Sequence, residues 1–131
     1  MKTRNVDRFH VNDYIRRAQE CKNSMERAYE NSEWNACVIM AVHCAIAAAD
    51  AYCIFKKGMR NASDNHSDSI NLFLSTDPHD QEVRAAVQHL AALISIKSGA
   101  EYGEKLSAEK EAEQAKKHAG RLFDFVYARL K

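Results

Sequence analysis

The sequence predicts an all-α protein, an up-and-down bundle of four long helices plus one short helix. An apolar run from Trp34 to Phe55 reads as one central helix, and apolar residues recur at three-and-four spacing in the segments around it. One Pro and four Gly leave little room for hairpins. The 131 residues form one domain by the usual size prior, 1–131, with a real core and no need of staples.

Residues 1 to 11 are polar and mixed in charge and read as a loose lead-in. Asn12 or Asp13 then caps a helix to about Tyr29, with Tyr14 or Ile15, Ala18, Cys21, Met25 and Ala28 inward. A short connector, Glu30 to Ser32, makes the next helix antiparallel, and Ser32 is its expected cap. The central helix ends at Lys56, Lys57 and Gly58, where cations suit the helix dipole and glycine suits a left-handed cap. Ser63 or Asp64 caps a short helix through Ile70, Leu72, Phe73 and Leu74, with His66 in its first turn. Asp77-Pro78 starts a fourth helix whose stripe is Val83, Val87, Leu90 and Leu93 or Ile94, stopping near Lys97. After a linker at 100–106, Ser107 caps a last helix with Ala108, Ala112, Ala115, Leu122, Val126 and Leu130 on its inner side. In up-and-down order, Lys56, Lys57, Arg60, His66, Lys97 and Tyr102 are expected to meet at one end of the bundle.

The apolar run is long enough to cross a bilayer at about 1.5 Å per residue. Asn35, His43 and Asp50 interrupt it, and seven alanines supply little transfer energy into lipid but let helices approach closely. The expected surround is therefore protein, including a second copy of the chain, and no membrane.

A formal charge of +1 and a pI near 7.7 argue against a protein that grips duplex DNA by bulk electrostatics. Cys21, Cys37, Cys44 and Cys53 contain no Cys-x-x-Cys pair and follow no signal peptide, so reduced thiols and a cytoplasmic location are expected. No metal or other cofactor is expected: no Glu has a His three residues on, and Cys37, His43 and Cys44 diverge around a helix.

The chemistry is expected in Arg60-Asn61-x4-His66. A permanent cation in a loop pairs there with an imidazole near a helix N-terminus, where free N–H groups also attract anions. Arg holds a phosphate, and His, with an ordinary pKa of about 6.5, moves a proton near neutral pH. RNA supplies its own nucleophile in the 2′-OH. The spacing alone is not selective, because Arg4-Asn5-x4-His10 and Arg84-x4-His89 match it too. Position selects Arg60 and His66, which straddle the exit of the buried helix and the entry of the next. Asp50 is near enough to orient either one, and Lys56, Lys57, Lys97 and Tyr102 are candidate substrate contacts. His43 shares a helix face with Asp50 and reads most simply as its buried polar partner. His79, His89 and His118 read as surface residues.

Arg60-Asn61-x4-His66, the Ala-rich Ala45–Ala51 before it, and Lys97 with Glu101-Tyr102 after the fourth helix resemble the HEPN superfamily of helical bundles. The resemblance implies a homodimer, joined through the central helix region, that places two motifs across a shared cleft. It implies metal-independent RNA cleavage leaving a 2′,3′-cyclic phosphate, with Arg60, Asn61 and His66 catalytic. Toxins of this superfamily that an adenylylating partner silences have a tyrosine two residues after the motif His. Asp68 stands there, so any antitoxin partner is unknown. The alternatives are a non-catalytic module that binds nucleotide or RNA, and a dimerisation unit.

Overall fold

The apolar run folds as one helix, α2 (Trp34–Lys57), on which the rest of the chain is laid. The computed structural model describes the backbone of residues 1–102 and 106–130 and the side chains of 1–97 and 106–130. By length and composition α2 could cross a membrane, but 67% of its most apolar window is buried inside the bundle. Alanines at 41, 45, 48, 49 and 51 are all but inaccessible, so neighbouring backbones approach α2 closely.

Helix α1 (Val11–Glu30) runs down against α2, burying Val11, Ala18, Met25 and Ala28. Its start lies ahead of the predicted caps, because the Asp7 side chain accepts from the Phe9 N–H and caps a 3₁₀ turn, Arg8–His10, that feeds α1. Ser32, expected to cap α2, instead takes φ 60° in the connector, and the cap position is Glu33. At the upper end Gly58 adopts φ 68°, the predicted left-handed cap, with its N–H on the Ile54 carbonyl.

The first eleven residues are not loose. β1 (Thr3–Asn5) pairs antiparallel with β2 (Met59–Asn61), in the register Thr3↔Asn61, Arg4↔Arg60 and Asn5↔Met59. The lead-in's polarity suggested solvent, but edge pairing needs only backbone groups, and the left-handed turn at Gly58 presents β2 to it. This small sheet is the one departure from an all-helical chain among the described residues.

Helix α3 (Ser67–Thr76) climbs beside the upper third of α2, with Phe73 against Tyr52 and Ser75 at the Lys57 ammonium. Asp80, rather than Asp77, caps α4 (Gln81–Tyr102), accepting from the Glu82 and Val83 N–H groups. α5 (Glu109–Arg129) starts beside Asn35, where Oδ1 accepts from the Ser107 N–H. It ends with Arg129 on Asp80 at 2.9 Å and on the Tyr52 hydroxyl at 3.4 Å. So α4 descends and α5 ascends. Between them His89 and His118, expected at the surface, meet half-buried with Nδ1 atoms 2.9 Å apart, and burial lowers both pKa values.

Candidate functional site

The direction of α3 divides the residues expected to meet. Because α3 climbs, α4 begins at the top, and Lys97 lies about 22 Å farther down it than Glu82 at about 1.5 Å per residue. Lys97 therefore sits at the opposite end from Arg60. Tyr102 closes the same descending helix, and its side chain lies outside the described residues. Lys56 and Lys57 stay at the upper tip of α2, exposed, with the Lys57 Nζ donating to the Ser75 Oγ at 3.0 Å. Among the described residues, Lys56, Lys57 and Lys97 do not line the cavity that holds the motif.

That cavity is on the flank of the bundle. After the turn at Gly58, β2 doubles back along α2 and carries Arg60 down to Asp50. Arg60, Asn61, Ser63 and His66 line a space of about 480 Å³ with Ile46 and Asp50 of α2, Ser69 of α3, Thr3 and Arg4 of the first strand and Lys2 just before it.

Successive strand residues point to opposite faces, and β2 uses both. Asn61 turns inward and is buried. Its Nδ2 donates to the Asn65 carbonyl at 3.3 Å and the Ser69 Oγ at 3.0 Å, while its Oδ1 accepts from the Ser63 N–H at 3.0 Å. Its amide is thus occupied at both ends in shaping the loop that carries His66. Ser63 donates to Asp68 at 2.7 Å, so the residue found where a toxin would have tyrosine is a brace for the same loop. His66 itself is the N-cap residue of α3, half-buried, at the lip of the cavity.

Arg60 turns the other way. Its Nη1 donates to the Asn61 carbonyl at 2.9 Å, and its Nε is buried with no hydrogen-bond partner. A guanidinium N–H stripped of water and left unpaired is costly, on the order of 1–3 kcal/mol, and an anion in the cavity would relieve it. Asp50 is the only acid among the lining residues. Burial pushes its carboxyl up to about 7, opposed by the Arg60 and then the Arg17 charge. Near neutral pH it is divided between a carboxylate that balances part of the Arg60 charge and a neutral acid.

His43 does not pair with Asp50 as a buried group, since it is exposed. It lies on an uncovered stripe of α2, with Ile39, His43, Ile46 and Asp50 at spacings of four, three and four. The thiols of Cys37, Cys44 and Cys53 are buried and free, and burial raises their pKa values, that of Cys44 to about 12. Among the described residues no three His, Cys, Asp or Glu side chains cluster closely enough to hold a metal ion.

Arg4, which sequence reasoning set aside, and Lys2, which it did not name, also line the cavity. The signal that could have found Arg4 was present, since Arg4-Asn5-x4-His10 copies the motif, but only strand pairing brings it to the cavity. A family model described as HEPN domain matches residues 11–130 of the chain. A search of curated proteins returned no match.

Proposed function

From the premise that this chain belongs to the HEPN domain family, we propose that it is an endoribonuclease whose Arg60 and His66 cleave RNA through its own 2′-OH. One observation carries the reading: Arg60 and His66 line one cavity, and the Arg60 Nε is buried and unpaired. A guanidinium with a donor to spare suits a phosphodiester oxygen, where charge builds in the transition state. An imidazole beside it suits proton transfer at neutral pH. In the step proposed, His66 accepts the proton of the 2′-OH, the 2′-oxygen bonds to phosphorus, and the bond to the 5′-oxygen breaks as that oxygen takes up a proton. The products are a 2′,3′-cyclic phosphate and a 5′-hydroxyl end.

A homodimer follows naturally from the uncovered stripe of α2. Ile39 and Ile46, half-exposed on a helix whose other faces are largely buried, give a second copy an apolar seam that leads to the cavity. Two copies of His66 across the resulting cleft would let one imidazole take a proton while the other gives one. The cytoplasm is the fitting compartment, because buried reduced thiols persist there.

The rival reading, a module that binds RNA or nucleotide without cutting it, draws on the same cations. Labelled single-stranded RNA incubated with the protein in EDTA, beside His66→Ala, separates the two. Cleavage that is lost in the variant supports the nuclease. Equal cutting in both samples, or binding without cutting, removes it.

A further inference from the structure

The matched family region begins at residue 11, yet the strand that completes the cavity is β1, at residues 3 to 5. Antiparallel register puts Arg4 directly across from Arg60, and directly opposed residues project from the same face of the sheet. Like charges so placed are destabilising unless something negative lies between them. Lys2 is two residues from Arg4 and so on that face again, about 6.6 Å along the strand at about 3.3 Å per residue, and the Ala62 N–H donates to its carbonyl. Among the described residues neither Lys2 nor Arg4 forms a side-chain hydrogen bond or ion pair. The cavity thus collects three permanent cations, Lys2, Arg4 and Arg60, against one carboxyl, Asp50. In a chain of net charge +1 that local excess is not a by-product of composition.

We propose that β1 is a phosphate-gripping arm, in which Lys2 and Arg4 hold a backbone phosphate of single-stranded RNA adjacent to the one held by Arg60. The row of cations leads away from Arg60 along the strand, so it meets a polyanion with regularly spaced charges rather than a lone phosphate. The arm selects for an extended strand and sets where the chain crosses His66. This proposal rests on the ribonuclease reading for the identity of the strand, but its test does not depend on cleavage.

The test measures binding of a short 2′-O-methyl oligonucleotide, which lacks the nucleophile, across a range of salt. Each phosphate neutralised on a single strand contributes about 0.7 to the slope of log affinity against log salt. Lys2→Gln/Arg4→Gln is expected to reduce the slope by about 0.7, so that the variant loses about 2.6-fold less affinity than the parent between about 50 and 200 mM salt. With cleavable RNA the KM rises and kcat holds, as for groups that bind ground and transition states alike. Lys2→Arg/Arg4→Lys, which keeps both charges, retains the slope, and this separates charge from any effect on strand pairing.

An unchanged slope in the Gln variant overturns the arm, as does a slope of equal size with a poly-glutamate peptide, or no binding of the oligonucleotide at all. If the parent binds in an arm-dependent manner but cuts nothing, the arm stands and the nuclease reading fails. If His66-dependent cutting has the same KM in the parent and the Gln variant, the nuclease stands and the arm fails.

Discussion

Replacing Asp50 by Asn removes an ionisable group that the fold holds in an unfavourable place, and the consequence is a stability difference that depends on pH. Burial raises the carboxyl from its ordinary 3.8 to about 7. Between those values the folded protein keeps a proton that the unfolded chain has released, so the native state is relatively favoured at low pH and that advantage is lost as pH rises through about 7. A difference of about three pH units at about 1.4 kcal/mol each sets an upper limit of about 4 kcal/mol. That value already includes the Arg60 charge, and the cavity is open to solvent on one side, so about 2 kcal/mol is the expected order. Asn has nearly the same shape and no proton to lose. Urea unfolding of the two proteins should give equal stability near about pH 4, and Asp50→Asn should gain about 2 kcal/mol by about pH 8. Parallel curves across that range would refute the desolvation of Asp50. A variant less stable than its parent at the alkaline end would show that attraction to the Arg60 charge outweighs burial.

Arg60→Ala should lower the cleavage rate by more than about tenfold, as loss of a transition-state phosphate contact does, with no fall in melting temperature, because no core rests on the guanidinium. Rate and thermal melts on one preparation check both halves. Ala48→Phe should do the reverse. Ala48 has no accessible surface, so the added ring overpacks the centre of α2 and costs about 1–3 kcal/mol, read from the urea midpoint. Gly58→Ala combines the two effects. At φ 68° with Arg8 Nη1 3.4 Å from the new Cβ, it should cost about 1 kcal/mol. By shifting the turn that aims β2, it should also weaken oligonucleotide binding; a loss of stability with unaltered binding would separate Gly58 from the site.

The helices were legible because each is specified locally. The alanine-rich run could be nothing but an enclosed helix, the stripes Ala18, Met25 and Ala28 or Val83, Val87, Leu90 and Leu93 repeat at the helical period, and Gly58 follows two cations as a left-handed cap does. Arg60 and His66 were legible for a related reason, since their separation in sequence is short and their position between two helices is fixed by the helix ends. Errors arose where one direction controlled many positions. Nothing in the sequence of residues 59–76 says that the chain doubles back after Gly58 and that α3 then climbs, and on this single choice depend the removal of Lys97 to the far end of the bundle and the placing of the site on its flank.

By itself, then, the sequence determined which segments are helical and which faces they bury, because these follow from spacing within about two turns. Tertiary structure alone decided that a polar N-terminal stretch becomes a strand, that Arg4 comes to face Arg60, and that Asn61 is spent on holding a loop. Pairing between residues some sixty positions apart is carried by backbone hydrogen bonds, which every residue but proline can make, and so leaves no signature in the side chains.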